Sequence, residues 1–102
     1  MLLPVQEKNA MFGNKTITCP AGQWTTIIDT IFAQIPVTWE VHLRPETGEV
    51  AGEFEEKKSD WIFPGQPVSG QLHERLTFKR GYWNTFYSVR IRPTTQVVAE
   101  IR

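Results

Sequence analysis

From Val37 to Arg44 the chain alternates without a break: Val37, Trp39, Val41 and Leu43 are apolar, while Thr38, Glu40, His42 and Arg44 are polar or charged. An extended strand sends successive side chains to opposite sides, so this segment has one face for a core and one for water. A helix would spread the same residues around its circumference. A strand of this kind cannot shelter its apolar face alone and needs a second layer over it.

Turn-forming residues punctuate the rest of the chain at Phe12-Gly-Asn-Lys15, Cys19-Pro-Ala-Gly22, Pro45-Glu-Thr-Gly48, Phe63-Pro-Gly-Gln-Pro67, Ser69-Gly70 and Arg80-Gly81. That cadence belongs to several short strands. Lys15 to Cys19 reads as the first strand and the segment after Pro93 as the last. The segment 24–35 carries two signals. Trp24, Ile27, Ile28, Ile31, Phe32 and Ile35 recur at helical spacing, yet seven of its twelve residues are Thr or Ile, whose β-branching suits a pleated surface. Strand is the preferred reading. The fold expected is therefore all-β, an antiparallel sandwich or small barrel of six to eight strands, with an α+β fold carrying one helix near 24–35 as the alternative.

Two hairpins follow from parity. If the chain doubles back at Pro45-Glu-Thr-Gly48, Leu43 pairs with Val50, Trp39 with Phe54, Arg44 with Glu49 and Glu40 with Glu53. The last is a like-charge pair, a remote metal candidate that lacks the six or more oxygens a hard cation needs. A turn at Arg80-Gly81 pairs Phe78 with Trp83, Leu76 with Thr85, Glu74 with Tyr87 and Leu72 with Val89. Phe78, Trp83 and Tyr87 then face the core, with Glu74 a partner for the Tyr87 hydroxyl. Arg75 comes opposite Phe86 and Lys79 opposite Tyr82 on the outer face, each cation stacked on its aromatic neighbour or free to bind. Asp60 to Gly70 runs three large apolar residues into two prolines and reads as a surface loop or an edge.

The chain of 102 residues is 40% hydrophobic with four tryptophans, enough for one core. Residues 1–14 read as a flexible tail and 15–102 as one domain. Eleven basic residues balance eleven acidic ones, so no whole-chain surplus draws it to nucleic acid or an anionic membrane. The balance hides an asymmetry. Glu46 to Asp60 is acidic and Gln71 to Arg102 is basic, which means either a bipolar molecule suited to self-association or cross-strand Glu/Arg pairs within a sheet. The single Cys19 reads as a buried small residue, and His42 and His73 as solvated surface imidazoles. No catalytic, phosphate-loop, dinucleotide or zinc motif is present, so neither enzyme activity nor a cofactor is expected.

The candidate site is the outward basic-aromatic set Arg75, Lys79, Tyr82, Phe86, Arg90 and Arg92. It fits a protein contact, where Tyr, Phe and Arg are enriched, and so a non-catalytic assembly module that self-associates as a homo-oligomer. Its alternative is a stacking platform for carbohydrate or single-stranded nucleic acid. No membrane partner is expected. The start of the chain lacks the charge and apolar run of a secretory leader, so residence in the cytoplasm or inside a virion is the default expectation.

Overall fold

The computed structural model describes residues 15–31, 36–59, 65–81 and 85–102, apart from the side chain of Ile31. These form eight strands and no helix: β1 (Lys15–Cys19), β2 (Thr25–Ile31), β3 (Val37–Pro45), β4 (Gly52–Ser59), β5 (Val68–Gln71), β6 (Arg75–Arg80), β7 (Phe86–Pro93) and β8 (Val97–Ile101). They make two antiparallel four-stranded sheets with the orders β1-β8-β3-β6 and β2-β7-β4-β5. Here the first is called sheet A and the second sheet B. Packed face to face as a sandwich, eight strands crossing in this order have the double Greek-key, jelly-roll arrangement.

Successive strands alternate between the sheets for most of the chain, and this overturns both hairpins expected from the sequence. β3 pairs with β8 and β6, whereas β4 pairs with β7 and β5. Glu40 therefore lies opposite Thr77 and accepts a hydrogen bond from its hydroxyl at 3.1 Å, and Glu53 lies opposite Arg92 and Gln71. The imagined carboxylate pair does not exist. β6 and β7 likewise belong to different sheets, so Arg75 lies beside His42 and Lys79 beside Thr38. The six-residue connection 46–51 is long enough to carry the chain across the roughly 10 Å between layers, where a tight hairpin would have stayed in one.

The faces assigned by parity hold nonetheless. Trp39, Val41, Leu43, Leu72, Phe78, Tyr87, Val89 and Ile91 are buried, joined by Cys19, Ile27, Ile28, Val97, Ala99 and Ile101. Two aromatic contacts join the layers across the core: Trp39 stacks on Tyr87 with centroids 5.4 Å apart and planes 2° from parallel, and Phe54 meets Phe78 edge-on at 5.2 Å and 81°. The adjacent isoleucines Ile27 and Ile28, part of the helical spacing in 24–35, have a local cause. A bulge between Thr26 and Ile28 inserts a residue into β2, so that Ile27 and Ile28 are both buried although adjacent. The phase slip makes a strand read like a helix.

Two further expectations change. Arg80 does not sit in a turn; it ends β6 opposite Val37, is buried, and has its guanidinium pushed below its ordinary range by that burial. Glu74 is exposed between β5 and β6. The Tyr87 hydroxyl donates instead to Glu56 of β4. After Pro67 comes a four-residue strand at the edge of sheet B, where Gly70 lies against the Phe54 ring. The expected 1–14 tail, Trp83 and the aromatic run Trp61 to Phe63 lie outside the described residues.

Candidate functional site

The connections β1–β2, β3–β4, β5–β6 and β7–β8 leave from one end of the sandwich, and backbone hydrogen bonds lace them together. Gly22 N–H donates to Pro93 at 2.7 Å, Leu43 to Glu74 at 2.8 Å, Glu46 to Gln96 at 2.8 Å, Leu72 to Gly52 at 3.0 Å and Thr94 to Ala51 at 2.9 Å. These bonds fix the ends of the strands that carry the charged faces. They also hold the exposed β3–β4 turn, whose Gly48 has a φ of 71°. Glu46, Glu49 and Glu74 are exposed at this end.

The structure divides the sequence-derived site. Arg75 and Lys79 project from β6, at the edge of sheet A, while Phe86, Arg90 and Arg92 belong to β7, inside sheet B. Tyr82 lies outside the described residues. On sheet B, Arg90 Nη2 lies 2.8 Å from Glu55 Oε1 and Arg92 pairs with Glu53, each across the ladder from its partner. Both guanidinium groups also lie over the Trp24 ring, 4.3 and 4.9 Å from its centroid. The acidic and basic segments of the sequence thus neutralise each other here. Each exposed ion pair contributes about 0.2–1 kcal/mol, and the cation–π contacts add about 0.5–1 kcal/mol each. Phe86 is half-buried opposite Ser59 and Ile31.

Sheet A differs. Its outer face carries Arg44, Arg75, Lys79, Arg102 and His42 against the carboxylates of Glu40 and Glu100. Glu100 is the hub: it pairs with Arg44, lies 3.7 Å from His42 Nδ1 and 3.9 Å from Arg102 Nη2, and its side chain is only 19% exposed. Arg75 and Lys79 have no ion pair among the described residues. A depression of about 360 Å³ is lined by Glu40, His42, Arg44, Arg75, Glu100 and Arg102. A second, of about 410 Å³, adjoins it across the Arg44–Glu100 pair and includes Thr16, Pro45, Glu46 and Val98. Arg44 and Arg102 are 60% and 66% exposed, so donors of their guanidinium forks remain open to an acceptor.

The sequence alone does not assemble the Glu100 cluster: parity puts His42 and Arg44 outward and Glu100 and Arg102 in the last strand, but only the β3–β8 ladder brings them together. No local sequence signal encodes that non-local pairing. No group of three or more His, Cys, Asp or Glu converges as a metal site among the described residues. Cys19 is fully buried, and burial pushes its thiol above the ordinary value while a side-chain bond with Thr25 offsets part of the rise. Such a thiol is a poor nucleophile. Val68, 58% exposed on the β5 edge, is the one exposed large apolar side chain among the described residues.

No known protein-family model matches the chain, and no curated protein matches it in sequence. Solved structures do match its fold. A de novo designed double-stranded β-helix superposes with a TM-score of 0.54 at 15% identity, over 87% of this chain and 95% of that one. The Yersinia pseudotuberculosis-derived mitogen superposes with a TM-score of 0.58 at 7% identity, over 87% of this chain and 80% of the mitogen chain. At these identities the likeness concerns the sandwich alone, and chemistry must be argued from side chains.

Proposed function

We propose that the chain is a non-catalytic interaction module that associates with copies of itself. The observation that carries this reading is the segregation of charge left over after internal pairing. Sheet B pairs both of its exposed arginines through Glu53–Arg92 and Glu55–Arg90, leaving Lys57 and Lys58 at the far end of β4, whereas sheet A keeps Arg75 and Lys79 without ion pairs among the described residues. The laced end carries Glu46, Glu49 and Glu74. A neutral chain with a basic face and an acidic end is electrostatically complementary to itself, and such complementarity steers association and sets its register.

The test is solution mass by chromatography with light scattering at about 0.01 M and about 1 M salt, between which the Debye length falls from roughly 30 Å to roughly 3 Å. An oligomer at low salt that dissociates at high salt is the expected result. A monomer under both conditions refutes the proposal. The carbohydrate or single-stranded nucleic acid reading ranks second, because an aromatic platform must be open to stack on a ligand. Trp24 is already covered by two guanidinium groups and Phe86 is half-buried. Quenching of tryptophan fluorescence by an oligosaccharide or oligonucleotide, in a chain that stays monomeric, would put that reading first.

A further inference from the structure

We infer that the self-contact is made by the acidic β3–β4 turn of one copy entering the basic depression on sheet A of another, with Glu46 and Glu49 meeting Arg75 and Arg102. This rests on the self-association proposed above and names its two surfaces.

The depression has the chemistry of a carboxylate acceptor. Arg44, Arg102 and His42 surround Glu100, and the side chain of Glu40 is engaged by Thr77. Arg75 lines the same depression and has no ion pair among the described residues. Arg102 lies 3.9 Å from Glu100 with two thirds of its side chain exposed. Both guanidinium groups therefore offer planar donor forks that suit a carboxylate. On sheet B the two exposed arginines already hold glutamates, and the cations left among the described residues, Lys57 and Lys58, carry no planar fork.

The turn supplies the complement. Glu46, Thr47, Gly48 and Glu49 are all exposed, and neither glutamate makes an ion pair among the described residues. Glu46 N–H is tied to the Gln96 carbonyl at 2.8 Å, so the start of the turn is held in place before any contact and less ordering is needed on binding. Glu46 also lines the depression next to the basic one. Acidic and basic surfaces thus adjoin on one side of the molecule, and a second copy can be engaged reciprocally.

The experiment is a charge swap. R75E/R102E gives the basic depression acidic side chains, and E46K/E49K makes the turn basic; each protein alone should lose self-association by about tenfold or more, as expected when interfacial charge pairs become repulsive. Mixed in equal amounts, the two are complementary at every contact and should assemble as the wild type does at low salt. Thermal melts of both variants establish that they are folded. Association of either variant alone at wild-type strength overturns this contact while leaving self-association standing, and so does loss in both without rescue on mixing. A wild-type chain that is monomeric at low salt, whether or not inorganic phosphate or an acidic peptide occupies the depression, removes the underlying reading as well.

Discussion

Tyr87 offers the sharpest probe of what holds the two layers together. Its ring is 1% exposed and stacked on Trp39, and its hydroxyl donates to Glu56. Tyr87→Phe keeps the ring and removes only that donor. A hydrogen bond to a charged group contributes about 1.5–3 kcal/mol. Glu56 is half-buried and regains some water, which places the loss near the lower bound, and for a domain of this size it lowers Tm by roughly 6–12 °C. The same bond has a signature in pH. Burial first, then the bond to Glu56 and its charge, push the Tyr87 phenol far above its ordinary value. An unfolded tyrosine loses its proton near pH 10, as folded Tyr87 does not, so below about pH 10 the contribution is constant. Above that pH the unfolded state binds fewer protons than the folded one, and this group lowers stability by up to about 1.4 kcal/mol per pH unit. Urea unfolding at a series of alkaline pH values should show a decline in the wild type that is steeper than in Tyr87→Phe, the lysine contributions being common to both. Equal melting temperatures at neutral pH together with parallel alkaline limbs would refute the role assigned to this bond.

Two glycines and one tryptophan carry the remaining predictions. A Cβ at Gly70 would lie 2.6 Å from Phe54 Cε2, so Gly70→Ala must displace a ring that packs edge-on against Phe78, lowering the urea midpoint by the equivalent of about 1–3 kcal/mol; an unchanged midpoint would mean that β5 moves aside freely. Gly52→Ala should cost more than an ordinary surface change, because Gly52 has a φ of 131° and an added Cβ would lie 2.8 Å from Pro93 Cα, with backbone on both sides of the contact. A double-mutant cycle between Trp24→Ala and Arg90→Ala should show a coupling of about 0.5–1 kcal/mol in urea unfolding, and zero coupling would reduce the stack on sheet B to coincidence of position.

Alternation tells which side of a strand faces the core but not which strand lies beside it. Trp39, Val41 and Leu43 of β3 and Tyr87, Val89 and Ile91 of β7 were legible as inward residues, because a period of two survives any choice of neighbour. Their partners were not legible. A hairpin pairing and a crossover to the opposite sheet bury the same side chains, and they differ only in long-range ladders such as β3 with β8. In β2 the bulge between Thr26 and Ile28 broke the period, so that β-branching was the local signal that pointed to a strand. Charge could have indicated one neighbour. Glu53 and Glu55 on β4 match Arg92 and Arg90 on β7 at the same spacing of two, which is a register written in opposite charges.

That same register explains why the site read from the sequence came apart. Arg90 and Arg92 looked available because their neighbours were sought within their own segment, on β6, when the carboxylates that take them lie on β4. Arg75 and Lys79 looked matched to Phe86 and Tyr82, yet among the described residues β6 forms an edge of sheet A and its outer cations lie across the ladder from His42 and Thr38. An edge strand has a neighbour on one side alone, so its charges have half the chance of internal pairing that a central strand's have. Edge position thus favours leaving the β6 cations to meet another surface, although Lys57 of the central strand β4 also has no ion pair among the described residues. For this chain Arg75 and Lys79 stay on the outer face of sheet A, and Arg75 lines a depression beside a turn of the opposite sign.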